Sequence, residues 1–205
     1  MHFTSRTLVA AAVMAVAASA HAQPKPPARL VVRGTISQVT ATSLEVAQRN
    51  GQKATVALPA DAAIRVVSNA KLSDIQPDSF IGTAASPQPD GTLKALEVHV
   101  FAASLRGSGE GFRPWEGADG KAGTMTNGTV GSLVNSNGTT MTVKYKEGEK
   151  TIVVPPDVPI VYMEPGDRSL LKTGVPVLIF PTKDAQGGLV ANSVIAGKNG
   201  VIPPM

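Results

Sequence analysis

The chemistry open to this chain is limited, because few of its side chains are good nucleophiles, bases or metal ligands. It has no cysteine, which excludes disulfides, thiolate metal sites and cysteine nucleophiles. His99 is the single histidine after residue 22 and stands two positions after Glu97. Strand alternation places these two side chains on one face and Leu96, Val98 and Val100 on the other. The pair is the first candidate for binding a cation or moving a proton.

The same pair has a plainer interpretation, a solvated strand face with one inert charge contact. A zinc site normally needs three or four ligands. A Ser-His-Asp arrangement would have to use His99 as its only base. We therefore predict no catalytic residue, no metal site and no cofactor.

A Gly-rich segment in the middle of the chain, residues 104–126, carries Phe112 and the single tryptophan, Trp115. Its glycines predict a flexible linker. Two interpretations of the aromatic residues stay open: they bury against a neighbouring domain, or they form a lid or a hook for a partner. Residues 107–111 lack the GxGxxG spacing and no helix is expected after them, which excludes a dinucleotide site.

The basic residues suggest a weak preference for anionic partners. Formal net charge is +4, and the longest basic cluster is Lys144 and Lys146, interrupted by Tyr145. A nucleic-acid-binding protein usually shows a basic stripe, so nucleic acid is not an expected partner. Lys144 and Lys146 are either a contact for anionic groups or a solvated edge. Small anionic ligands and a periplasmic protein are the partners that we predict.

The N-terminal residues have the pattern of an export signal. Arg6 precedes an apolar run over residues 8–18, and Ala20 and Ala22 offer small side chains for cleavage before Gln23. That run is about half the length needed to span a bilayer, so no membrane span is expected. We predict a signal peptide over residues 1–22, a Pro-rich leader over 23–29 and a periplasmic location, with secretion as the alternative.

An internal repeat organises the rest of the chain. The motif of residues 34–36, Gly-Thr-Ile, recurs at 128–130 as Gly-Thr-Val, and Ala95 with Val98 recurs as Ala191 with Val194. The repeat predicts a first β-barrel domain over residues 30–103 and a second over 127–199, followed by a tail over 200–205.

The order of elements predicted within each copy is three strands, a helical turn and two further strands. This is the order of the OB-fold, a five-stranded barrel. We predict an all-β protein of two tandem five-stranded OB-like barrels joined by the Gly-rich linker. The predicted strands are residues 30–39, 43–48, 53–58, 79–85 and 93–101, then 127–134, 139–145, 151–154, 175–181 and 189–195, with short β segments at 64–67 and 160–162 and helical turns at 71–75 and 168–172.

Several short motifs also carry a family resemblance. They are residues 109–115 (GEGFRPW), 124–127 (TMTN), 145–150 (YKEGEK), 154–156 (VPP) and 202–205 (IPPM). With them the chain resembles a family of exported proteobacterial proteins made of two copies of a small β-barrel domain of unknown function. The resemblance implies the fold and the export route but no activity. Phe112 departs from the histidine often found there, and the metal-transport permease label that some members carry does not fit a chain without membrane spans.

The leading functional prediction is a non-catalytic exported binding or interaction protein. Its candidate site residues are Phe112, Trp115, Glu97, His99, Lys144 and Lys146. The alternative is a small-molecule or cation sensor that uses the strand face of Glu97 and His99. An unrecognised hydrolase is the third possibility.

Overall fold

The computed structural model describes residues 30–117, 121–135 and 139–204, and this part of the chain consists of strands and short 3₁₀ turns. The predicted all-β class is confirmed. Residues 1–22 and 23–29, predicted as signal peptide and leader, lie outside the described residues, as do residues 118–120 of the predicted linker, residues 136–138 and Met205.

The strands of the first half follow the predicted alternation closely. Leu44 and Val46 are buried between more exposed neighbours, and Gly51 has the positive φ (81°) that a tight turn requires. The strands are β1 Val32–Val39, β2 Ser43–Gln48, β3 Lys53–Ala57, β4 Ala63–Asn69, β5 Phe80–Pro87 and β6 Leu93–Phe101, with a 3₁₀ turn at Leu72–Asp74.

The second half repeats this order after one additional strand. The Asp167 carboxylate accepts a hydrogen bond from the backbone N–H of Ser169 (2.8 Å), which caps the 3₁₀ turn. The Ser169 side chain and, after it, this backbone N–H lower the pKa of Asp167. The strands are β7 Gly111–Glu116, β8 Ala122–Asn135, β9 Thr139–Tyr145, β10 Gly148–Val154, β11 Ile160–Pro165, β12 Pro176–Lys183 and β13 Leu189–Gly197, with the turn at Arg168–Leu170.

Strand pairing closes two five-stranded barrels. In barrel A, β1, β2 and β3 pair antiparallel in sequence, β13 joins β3 in parallel, and β12 links β13 back to β1. Barrel B has the same plan, with β8, β9 and β10 in sequence, β6 parallel to β10, and β5 between β6 and β8. Closure leaves no free sheet edge in either ring.

Each barrel takes strands from both halves of the chain, which corrects the expectation of two tandem units over residues 30–103 and 127–199. The last two strands of one copy complete the first three strands of the other. The cores follow the same exchange: one cluster joins Ile36 and Leu44 to Ile179 and Val194. The other joins residues of β5 and β6 to residues of β8, β9 and β10. Neither half buries a barrel core by itself.

The two barrels are also joined by a continuous run of strands. β11 lies between β6, to which it is parallel, and β4, to which it is antiparallel, and β4 pairs in parallel with β13. A third apolar cluster covers this junction. Its buried members are Val67, Val161, Met163, Leu178 and Ile195.

The predicted flexible linker is largely a paired strand. β7 forms an antiparallel hairpin with the first part of β8, with Trp115 opposite Gly123. The Trp115 ring meets the edge of Phe180 on β12 at a centroid distance of 5.7 Å, so the hairpin of barrel B contacts barrel A. Burial and, after it, Arg49 lower the pKa of Arg33 on β1, while Glu116 at the end of β7 partly opposes this lowering.

Candidate functional site

One row of residues crosses the outer face of barrel B on four adjacent strands. Gly82 of β5 pairs with His99 of β6 on one side and with Asn127 of β8 on the other, and Asn127 pairs with Gly111 of β7. Directly paired residues point to the same face of a sheet. The His99 and Asn127 side chains therefore lie on this face, with Gly82 between them and without a side chain of its own.

A β-bulge sets which residues of β6 lie on this face. Ala84 pairs with Glu97 and Ala85 pairs with Ala95, so Leu96 has no partner. Leu96 is therefore 46% exposed, although the sequence predicted it beside Val98 and Val100, which are buried in the core of barrel B. The bulge is the physical reason for that error.

Glu97 and His99 form a buried pair, which corrects the expectation of a solvated strand face. Glu97 is 2% exposed and His99 is 1% exposed. Glu97 Oε1 accepts a hydrogen bond from the backbone N–H of Ala84 at 2.8 Å. Its Oε2 lies 2.7 Å from His99 Nδ1, an ion-pair contact without a well-aligned hydrogen bond. A buried pair of this kind is costly to break, unlike a surface contact.

Three polar atoms close to this row have no hydrogen-bond partner in the described part of the protein. They are His99 Nε2, Asn127 Oδ1 and Trp115 Nε1. Asn127 is held in place by its other amide atom, because Nδ2 donates to the Ser108 carbonyl oxygen at 3.0 Å. Buried polar atoms without partners are rare in folded proteins and call for an explanation.

All three of these side chains line one cavity between the barrels. Its volume is about 420 Å³. Barrel A supplies the opposite wall from β12 and β13, including Phe180, Ser193 and Ile195, while Arg65 of β4 and Met163 of β11 line it from the strands that join the barrels. The exchange of strands thus places the cavity against residues far apart in the sequence.

The charged side chains that line the cavity are basic. Arg65 and Arg113 border it, and no aspartate or glutamate of the described residues lines it. The Arg113 Nη1 donates to the Gly109 carbonyl oxygen at 2.9 Å, which orients this guanidinium. Glu97 lies behind His99 and its contacts are with Ala84 and the imidazole. The cavity therefore presents positive charge.

The remaining predicted site residues lie elsewhere, on the side of barrel B formed by β7, β9 and β10. Phe112 stacks on Tyr145 with ring centroids 6.4 Å apart, and the Lys150 Nζ stands 4.5 Å from the Phe112 centroid. Lys144 and Lys146 are exposed there. The structure brings Trp115 and His99 together at the cavity, with Glu97 behind His99, and leaves Phe112 and the two lysines outside it.

The sequence did not single out Asn127, Arg65, Arg113 or Gly82. Gly82 carried a usable signal, because a glycine inside a strand often marks a close approach of another group. A Cβ at Gly82 would lie 2.8 Å from Asn127 Oδ1. Arg65 had no such signal, since one arginine in a strand is ordinary at a surface.

Two other kinds of site are absent from residues 30–117, 121–135 and 139–204. No group of three or more His, Cys, Asp or Glu side chains is placed to hold a metal ion. No helix there is long and apolar enough to cross a membrane.

Comparison of the chain with protein-family models, with curated proteins and with solved structures gave no match. The family resemblance of the short motifs therefore stays a prediction.

Proposed function

We propose that this protein is a non-catalytic binding protein that holds a small molecule in the cavity between its two barrels. One observation carries the proposal: His99 Nε2 and Asn127 Oδ1 are buried, have no hydrogen-bond partner in the described residues, and line the same cavity. An unsatisfied buried polar group costs free energy, which a ligand with matching donors and acceptors would offset.

The size and lining of the cavity support this function. A volume of about 420 Å³ falls in the range of small-molecule sites, which are mostly apolar with a few placed polar groups. Met125, Met163 and Ile195 supply apolar wall, and His99 with Asn127 supplies the polar groups. Burial of both polar residues gives the site a fixed geometry before any ligand arrives.

The finer predictions about fold and location belong to the same proposal. We propose that each barrel is of the OB type, that the two copies arose as a tandem repeat, and that the chain is exported to the periplasm, with secretion as the alternative. OB-type barrels usually bind along their second and third strands. The cavity here instead uses the last two strands of each barrel, which the exchange brings together.

The two alternative functions make different demands on this site. A cation sensor is best served by carboxylate ligands in the cavity, but no aspartate or glutamate of the described residues lines it, and the Glu97 oxygens contact Ala84 and His99. A hydrolase needs a hydroxyl nucleophile on His99 Nε2, which has no partner in the described part of the chain. Binding without turnover is the function that this geometry favours.

Native mass spectrometry of the mature protein purified from its own periplasm tests the proposal. We expect a bound small molecule, lost in Ser193→Phe, whose ring fills the cavity from the β13 wall. The control is Ser73→Phe, an exposed serine that does not line the cavity. An equal ligand content in the two variants, or none in the wild-type protein, would contradict the proposal, and turnover of the released molecule would favour the hydrolase.

A further inference from the structure

We infer that the ligand of this cavity is a small organic anion with an apolar body, its charge directed at Arg65, Arg113 and His99. This inference rests on the proposed function and adds the chemical class of the ligand. Three features of the cavity point to this class of ligand: the arginine charges, the free ring nitrogen of His99 and the apolar walls.

The arginines supply the charge. Arg65 approaches from the strands that join the barrels and Arg113 from the β7 hairpin, so two guanidinium groups border one cavity. Like charges brought together in a partly buried space raise the local positive potential, and an anion lowers that energy. Guanidinium groups also bind carboxylates through paired N–H donors. A cationic ligand would meet repulsion with no lining carboxylate among the described residues to offset it.

The contact between Glu97 and His99 determines which ring nitrogen of His99 faces the ligand. A carboxylate beside Nδ1 favours a proton on that nitrogen and fixes which ring nitrogen faces the cavity. With Nδ1 facing Glu97, Nε2 is the ring nitrogen that faces the cavity and has no hydrogen-bond partner among the described residues, so it is free to bond a polar group of the ligand. The groups facing this imidazole are thus Glu97 and, across the cavity, Arg65 and Arg113.

The rest of the lining excludes a bare inorganic anion as the best fit. Trp115 and Phe180 meet edge to face, and Met125, Met163 and Ile195 extend the apolar wall. Phosphate or sulfate would leave this surface uncovered, whereas an aromatic or aliphatic carboxylate buries it. The cavity thus matches a ligand with one charged end and one apolar end.

The test uses three molecules of nearly equal shape and different charge: benzoate, benzamide and benzamidine, with inorganic phosphate as a fourth probe. Trp115 is the single tryptophan of the chain and lines the cavity, so its fluorescence reports binding directly. We expect benzoate to bind at least about tenfold more tightly than benzamide and benzamidine, and more tightly than phosphate.

Charge-removal variants complete the test. Arg65→Met should weaken benzoate binding by at least about tenfold, whereas Lys94→Met, which removes the same charge from an exposed position of β6 outside the cavity, should leave it unchanged. Binding of benzamide or benzamidine in place of benzoate, tighter binding of phosphate, or equal effects of the two variants would overturn the anion assignment and leave the cavity as a site. No response to any probe, together with no copurified molecule, would overturn the proposed function itself.

Discussion

The two barrels carry equivalent rows of residues around the cavity, and the rows differ in chemistry. In barrel B the row reads Val161, His99, Gly82 and Asn127 across β11, β6, β5 and β8. The repeat places Arg65, Ile195, Leu178 and Arg33 in the same positions on β4, β13, β12 and β1. The backbone plan is shared, while the two central positions have changed from isoleucine and leucine to histidine and glycine.

This difference separates a packing role from the proposed binding role. Leu178 and Ile195 are buried within the apolar cluster that covers the barrel junction. His99 and Gly82 occupy the same positions on the other barrel, where His99 Nε2 has no hydrogen-bond partner among the described residues and the absence of a side chain at Gly82 makes room for Asn127. A fold with two equivalent faces can thus use one for stability and the other for a site. Exchanging residues between the rows tests that interpretation.

The largest effect is expected from breaking the buried pair. His99→Ile copies Ile195 but leaves the Glu97 carboxylate buried without its basic partner, which should lower the free energy of unfolding by about 3 to 5 kcal/mol. Replacing both residues, as Glu97→Ser with His99→Ile, copies Ser193 and Ile195 and removes the buried charge. The double variant should recover most of the loss and should not bind benzoate.

Urea denaturation at neutral pH measures both variants of the pair. A double variant as unstable as His99→Ile would show that the pair does not dominate the energetics of this face. A single variant of wild-type stability would show that Glu97 is neutral or reaches water after the substitution.

A smaller effect is expected at the glycine of the row. In Gly82→Ala the added methyl group would lie 2.8 Å from Asn127 Oδ1 and 3.0 Å from Phe101 Cε2. The neighbours must move, and overpacking of this kind typically costs about 1 to 3 kcal/mol. Adding Asn127→Ala removes the nearer contact and should restore part of the stability in thermal unfolding. If Gly82→Ala alone unfolds like the wild-type protein, the row has more space than its geometry indicates.

The strands could be predicted from the sequence, but their closure could not. Alternation and turn residues such as Asn50 and Gly51 act locally, and β2, β6 and β9 have the predicted bounds. Closure depends on whether the β5–β6 pair or the β12–β13 pair completes the barrel that begins with β1, β2 and β3. Since the two copies share their apolar positions, pairing within a copy and pairing between copies look alike in the sequence.

The site was predictable only in part, for a related reason. Residue type alone singled out Glu97 and His99, but their burial depends on the bulge at Leu96 and on the second barrel, both set by distant residues. Arg65 reaches the cavity because β4 joins β11 to β13. Nothing in the residues around Arg65 encodes that pairing.

The smallest effect is expected at the contact between Trp115 of the β7 hairpin and Phe180 of barrel A. Trp115→Ala removes the edge-to-face contact with Phe180, and such an aromatic pair is worth about 0.5 to 1.5 kcal/mol beyond its buried area. The loosened β7 hairpin should then be cut by trypsin after Arg106 or Lys121 more quickly than in the wild-type protein, since Pro114 protects the bond after Arg113. Phe112→Ala is the matched control, because Phe112 stacks on Tyr145 of its own barrel and is 39% exposed. Equal cleavage of the two variants would mean that Trp115 does not hold the hairpin against barrel A, and the cavity would then have to be closed by its other walls.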